Sequence, residues 1–252
     1  ERSRGLGDVY KRQALMNKAM VQVVPHSNAI NSNVYYLDRT EPEPAELHVE
    51  VLRTSKGSSM GQVKLIQNKK ITCLYSSLCS DFEYMKGYSG LGTPLPPIIN
   101  AVKQDDFKVM SYESIGSGST PAFIKHLNMS VHPDHAWWDR DISSDAAEAR
   151  CSAYLELEGG VADTFVLSYL ADILPPVVQN KFGSLGWIPT LTLTCNIRQL
   201  PKTNLLFIDG HAKDISNGYF EQDCCIWDMD GNLVATSRQL AKILKSEDKI
   251  SS

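Results

Sequence analysis

Residues 165–201, FVLSYLADILPPVVQNKFGSLGWIPTLTLTCNIRQLP, constrain the fold more than any other part of the chain. From Phe165 to Val178 the apolar side chains fall at helical spacing, at Phe165, Val166, Tyr169, Leu170, Ile173, Leu174 and Val177. Only Ser168 and Asp172 stand on the opposite face, and a helix with so little polar surface must be covered nearly all round. The Pro175–Pro176 pair ends or kinks it, because proline lacks the amide hydrogen and crowds the residue before it. Beyond a Gly183–Gly186 turn, Trp187–Arg198 reads as a strand. Ile188, Thr190, Thr192, Thr194 and Asn196 share one parity, and Leu191, Leu193, Cys195 and Ile197 the other, so the two sets face opposite sides of a sheet. A buried helix followed by long strands predicts a sheet wrapped around that helix.

With 252 residues and 42% hydrophobic content, the chain can bury one large core or two of about 120 residues each. A net charge of −4 with scattered Lys and Arg gives no basic footprint for nucleic acid. No apolar run approaches the ~20 residues a membrane-spanning helix needs. The cysteines, Cys73, Cys79, Cys151, Cys195, Cys224 and Cys225, form no CxxC pair. They read as buried free thiols rather than a disulfide framework, which fits a reducing, cytoplasmic setting.

Residues 1–13, ERSRGLGDVYKRQ, differ from the rest of the chain: they are charged, glycine-bearing and without apolar period. GDVYKRQ resembles a translated sequencing adaptor, so these residues are set apart from the fold and the natural start is expected to be missing. Ala14–Val24 then reads as the tail of a helix. From Asn33 the pattern turns to strands: Asn33–Arg39, Leu47–Thr54, Met60–Gln67 and Ile71–Ser80, with a tight turn at Asn68-Lys69-Lys70. Residues 82–119, rich in Gly and Pro, read as a linker. A second unit, 120–246, is predicted to hold strands at Pro121–Val131 and Cys151–Glu158, then the buried helix and the strand Trp187–Arg198. It closes with strands at Leu205–Ala212, Gly218–Trp227 and Asn232–Leu244. Asp230-Gly231 is a strong hairpin signal. The segment 51–77 echoes 210–239 in its succession of strand, small-residue turn, long strand, polar hairpin and strand, which suggests an internal duplication of 14–81 in 120–246.

Three segments, LADILPP (170–176), GWIPTLTLTCNIRQLP (186–201) and WDMDGNLVATSRQLA (227–241), resemble the double-hotdog acyl-CoA thioesterases of the thioesterase II type in order and spacing. The resemblance covers nearly all of Met16–Leu244. It implies an α+β double hotdog, in which each repeat wraps a long antiparallel sheet around a central helix. It also implies hydrolysis of acyl-CoA by water, without a covalent intermediate or a cofactor, and association into a homo-oligomer. That family positions its water with an Asp, a Thr or Ser, and a Gln. Carried over, the Gln falls on Gln239, the Asp near Thr192 and the Thr or Ser near Ala212, two departures of three.

Thr192 could orient a water but could not act as general base, since its hydroxyl is far too weak a base. Asp172 is the candidate substitute acid, and partial desolvation there would raise its pKa. It could equally hydrogen-bond the turn before the prolines. For the CoA phosphates, Lys213, Arg198 and Arg238 lie on suitable elements, and Trp187 heads the strand that carries Thr192. The competing reading is a catalytically silent acyl-CoA-binding relative that has lost its acid.

Other clusters carry less. His126, His132 and His135 with Asp134, Asp139 and Asp141 lack a zincin spacing, so no metal is expected. His211 reads as a strand histidine. Trp137-Trp138 could line an acyl pocket but better fits a cover over the seam between repeats. Gly116–Ser119 is too short for a phosphate loop, and the absence of GxSxG leaves no α/β-hydrolase nucleophile.

Overall fold

In the computed structural model, residues 8–41, 43–111, 128–139, 147–156 and 162–244 are described. Their strands form one antiparallel sheet in the order β2-β3-β4-β1-β8-β11-β10-β9-β7-β6-β5. The strands are β1 (Asn28–Tyr36), β2 (Glu46–Thr54), β3 (Ser59–Gln67), β4 (Lys70–Ser80), β5 (Lys108–Val109) and β6 (Asn128–Val131). They continue as β7 (Arg150–Glu156), β8 (Thr190–Ile197), β9 (Leu205–His211), β10 (Tyr219–Asp228) and β11 (Leu233–Lys242). Helices α1 (Asp8–Val21), α2 (Thr164–Leu170) and α3 (Val178–Phe182) lie on its inner face. Around the β1–β8 junction the order β1-β4-β3-β2 is repeated outward as β8-β11-β10-β9. Of the expected strands Pro121–Val131 and Cys151–Glu158, residues 121–127, 157 and 158 lie outside the described residues, as do Gly116–Ser119, His126 and Asp141.

Both predicted hairpins form. Asn68 and Lys69 take positive φ of 51° and 65° between β3 and β4, the backbone that a two-residue hairpin matched to strand twist requires. Gly231 takes φ of 84°, and the Asp228 carboxylate accepts from the Asn232 amide across the same turn.

The helix differs from its sequence reading. Asp163 caps α2 by accepting from Val166 N at 2.8 Å, and the helix ends at Leu170, four residues short of the prolines. Pro175 and Pro176 supply no amide hydrogens, and Leu174 is pushed away from the helical region by the ring after it. The chain therefore crosses residues 171–177 in an irregular path and resumes as α3. The expected long central helix is replaced by two short ones.

Helices α1 and α2 meet through polar atoms: Asn17 Nδ2 donates to Ser168 Oγ at 2.9 Å, and that hydroxyl donates to Thr164 O at 2.8 Å. All three residues are buried, and this pairing satisfies the Asn17 donor and the Ser168 hydroxyl. Helix α1 begins within the segment the sequence reading set apart. Arg12 and Gln13 are buried there; the guanidinium donates to Thr40 Oγ1 at 2.7 Å and stacks over the Tyr36 ring at 5.0 Å.

Met16 and Met20 of α1 fill the sheet of β1–β4 together with Val34, Val63, Leu65, Cys73 and Tyr75. Gly61 allows this approach, since a Cβ there would strike Met20 and lie 2.7 Å from the Glu50 carbonyl oxygen. The expected result for Gly61→Ala is a loss of about 1–3 kcal/mol in denaturant unfolding, the cost of overpacking a filled core. An unchanged midpoint would show that β2 and α1 can yield.

In the other half Leu167, Leu170, Ile173, Leu174 and Val177 pack on Leu206, Ile208, Cys195 and Ile197. The linker is no loose tether: Ile99 and Phe107 cover Tyr154, Phe207 and Trp227 on the outer face, and Trp227 Nε1 donates to Thr93 O at 2.8 Å. All six cysteines are free thiols, and all but Cys225 are buried. Among the described residues, no helix is long and apolar enough to cross a membrane.

Candidate active site

Gln239 sits on the inner face of β11 and is 5% exposed. Alternation places Ser237 and Ala241 beside it on that face and Arg238 and Leu240 on the other, in agreement with their burial. Across the strands, Gln239 stands opposite Leu193 of β8 and Gln222 of β10.

A bulge decides which threonine joins it. Leu240 pairs with Thr192 but the next residue, Ala241, pairs with Thr190. The extra residue on β8 is Leu191, and such an insertion shifts the facing of everything beyond it. Thr190 therefore comes to the inner face, where its hydroxyl meets Gln239 Oε1 at 2.6 Å. Thr192 pairs with Leu240 and with the exposed Tyr35, on the outer face. Thr192, where the family resemblance puts the acid, thus faces away from Gln239.

The irregular segment after α2 brings a carboxyl group to the same region. Ser237 Oγ donates to Ala171 O at 2.5 Å, and Val177 N donates to Gln222 Oε1 at 3.0 Å. These two hydrogen bonds tie residues 171–177 to β11 and β10. Between the ties lies Asp172, 4% exposed, whose Oδ2 is buried without a hydrogen-bond partner among the described residues. Burial pushes its pKa up to about 8, with the Arg12 guanidinium acting in the opposite direction. The same carboxylate contributes, after burial, to raising the Tyr36 phenol. With Oδ2 unpartnered, Asp172 does not serve merely to hydrogen-bond the turn before the prolines.

The arrangement offers a buried carboxyl group with an unpartnered oxygen and a pKa raised to about 8, on a segment that Ser237 ties to the strand of Gln239, and an amide whose oxygen is held by a hydroxyl. An amide can donate and accept at once, which suits it to hold a water molecule. A buried carboxyl of raised pKa is suited to take that water's proton.

The expected substrate-binding residues are not gathered here. Arg238 lies on the outer face, 65% exposed along its side chain, and is engaged by Asp223 through Nε at 2.5 Å and Nη2 at 2.7 Å. Trp187 precedes β8 and is 55% exposed. Lys213 instead lines a cavity of 770 Å³ with Arg150, Lys181, Asp209 and His211, beyond the end of β9. Arg150 in that cavity is held by Asp209 in a two-point pair at 2.9 and 3.1 Å.

His132 and His135 are buried, 5.0 Å apart between ring centroids. No group of His, Cys, Asp or Glu suited to a metal ion occurs among the described residues. Trp138 packs on the core beneath β7 and β9. Sequence reasoning missed Thr190, Ser237 and Gln222. The first was hidden by the bulge, but Gln222 was accessible, since counting outward from the Asp230-Gly231 hairpin sets it opposite Gln239.

A single large antiparallel sheet with short helices packed on its inner face is of the hotdog type. Residues 102–243 match the model for the acyl-CoA thioesterase C-terminal domain, and residues 13–79 match that for the N-terminal domain. The chain belongs to the acyl-CoA thioesterase family.

Solved structures agree on the fold. A protein with a hot dog fold from Alicyclobacillus acidocaldarius superposes with a TM-score of 0.77 at 18% identity, over 93% of this chain and 86% of that one. An acyl-CoA thioesterase II from Mycobacterium marinum gives 0.71 at 14% identity, over 98% and 91%. By sequence, an uncharacterized protein of Mycobacterium tuberculosis is 31% identical over 84 residues, which is 33% of this chain and 29% of that protein.

Proposed function

We propose that the protein hydrolyses acyl-CoA thioesters by direct attack of water, with Asp172, Thr190 and Gln239 as its working residues. The observation that carries this reading is the buried, unpartnered Asp172 Oδ2, on the segment that Ser237 ties to the strand whose Gln239 amide is held by Thr190. Family membership supplies the substrate class.

In this mechanism the Thr190 hydroxyl holds Gln239 Oε1 and so orients the amide. Gln239 positions a water molecule, and ionised Asp172 removes one of its protons as the water oxygen bonds to the thioester carbon. The tetrahedral intermediate collapses with cleavage of the carbon–sulfur bond. The proton on Asp172 passes to the departing CoA thiolate, leaving free acid, CoA thiol and an ionised Asp172. No bond to the protein forms.

We read the sheet as two hotdog repeats, 14–81 and 120–246, joined by 82–119. The repetition of β1-β4-β3-β2 as β8-β11-β10-β9 supports this. Only the second repeat contributes the proposed acid, hydroxyl and amide.

A pair of variants tests the assignment. Thr190→Val removes the hydroxyl while keeping the shape, and is expected to lower kcat roughly tenfold, as for a lost hydrogen bond of about 1.4 kcal/mol. Thr192→Val, on the outer face, is expected to stay within about twofold, in line with the ±0.5 kcal/mol of a surface change. The opposite ranking in thiol-release assays would remove Thr190 from the mechanism.

A further inference from the structure

Attack of water turns the thioester oxygen into an oxyanion, and donors aimed at that atom commonly supply the largest single part of catalysis. In the proposed mechanism Asp172 and Gln239 are occupied with the water and Thr190 with Gln239, so the developing charge needs another partner.

Gln222 is suited to this task. It is 3% exposed, on the inner face of β10, directly opposite Gln239. Antiparallel partners place their Cβ atoms ~4.5–5.5 Å apart, so the two amides are immediate neighbours. The orientation of Gln222 is set by chemistry: Val177 N can only donate, so the atom 3.0 Å from it must be the carbonyl Oε1. That turns the two hydrogens of Nε2 away from Val177, and they meet no acceptor among the described residues. Gln239 Oε1 accepts from Thr190, and no hydrogen bond joins it to Gln222 among the described residues.

We propose that Gln222 binds the substrate's carbonyl oxygen, its Nε2 donating to that atom in the bound thioester and more strongly to the oxyanion. This rests on the thioesterase reading of the same site. The Val177 hydrogen bond serves the role by holding the amide in one rotation, and it comes from the segment that bears Asp172. Donor and base are thereby held in register by a single stretch of chain.

A purely structural role for Gln222, limited to anchoring Val177, makes a different prediction from carbonyl binding. Gln222→Glu retains an oxygen for Val177 N and removes the donor, whereas Gln222→Met removes both. Carbonyl binding predicts that Gln222→Glu and Gln222→Met both lower kcat by roughly 10²-fold or more, the loss known for a deleted oxyanion donor. Anchoring alone predicts near-normal turnover in Gln222→Glu and a loss confined to Gln222→Met, which would overturn the proposal.

A second measurement does not depend on turnover. The ketone analogue of hexanoyl-CoA, with a methylene in place of the thioester sulfur and an isotope-labelled carbonyl, is bound to each protein. Its carbonyl stretch is then read by infrared difference spectroscopy. The expected result is a band at lower wavenumber on the unaltered protein than on Gln222→Met, and an identical band on both would overturn the proposal. Should Gln222→Glu fail to fold, this comparison decides alone. An unaltered protein that binds the ketone with the lowered band but releases no thiol would contradict the hydrolase reading and leave the carbonyl contact standing.

Discussion

Asp172→Asn is expected to lower kcat by roughly 10² to 10⁴, the range that a positioned general base contributes. The same variant is expected to be more stable than the unaltered protein. Burying the carboxyl costs little while it is protonated, and the larger cost appears on ionisation. The folded-state pKa of about 8 stands above the ordinary value of 3.8, so between these values the folded protein holds a proton that the unfolded chain has released. Stability contributed by the neutral carboxyl is fully present below the unfolded pKa and is lost as pH rises through the folded one. The slope within that window is about 1.4 kcal/mol per pH unit.

Asparagine does not ionise, so Asp172→Asn should flatten the decline and unfold at higher temperature on the alkaline side of the window. Thermal unfolding of both proteins across pH, with thiol release on the same samples, checks the two effects together. Lost activity with unchanged pH dependence of stability would mean that the carboxyl is not held in the buried state the structure describes. Retained activity would remove Asp172 as the base.

Gln239→Ala is expected to reduce kcat by roughly 10²-fold. Its effect should not add to that of Thr190→Val, because the hydroxyl acts only through the amide. Once Gln239 is gone, Thr190 has nothing to orient, and the double variant should match Gln239→Ala alone. A cycle of the two single variants and the double measures this directly. Independent losses that multiply would show that Thr190 touches the water or substrate by itself, and a small effect of Gln239→Ala would place the water elsewhere.

Much of this arrangement was written plainly in the sequence. Periodicity gave the strands of both halves, and the Asp230-Gly231 turn fixed the register that faces Gln239 with Gln222. Gln239 lies on a strand face with Ser237 and Ala241.

The failures have separate physical causes. A single extra residue at Leu191 turns Thr190 toward Gln239 while Thr192 stays on the outer face, and a bulge leaves no mark on a pattern of alternating threonines. The helix drawn through Asp172 stops at Leu170 because of prolines that lie several residues beyond its last turn. As a result, Asp172 belongs to an irregular segment held by Ser237 and Gln222 rather than to a polar helix face. The proposed acid, Asp172, lies on the segment before the strand on which the resemblance sets the family's acid. Arg238, next to Gln239 in sequence, points to the opposite side of the sheet and pairs with Asp223.

Thiol release from acyl-CoAs of graded chain length, followed with a chromogenic thiol reagent, tests the central claim most directly. Direct hydrolysis predicts saturable production of one CoA thiol for each acid formed, without an initial burst of acyl-protein, and with kcat/KM rising with pH toward the carboxyl's pKa of about 8. Saturable acyl-CoA binding with no thiol released at any pH would contradict it, and would make this a binding member of the family.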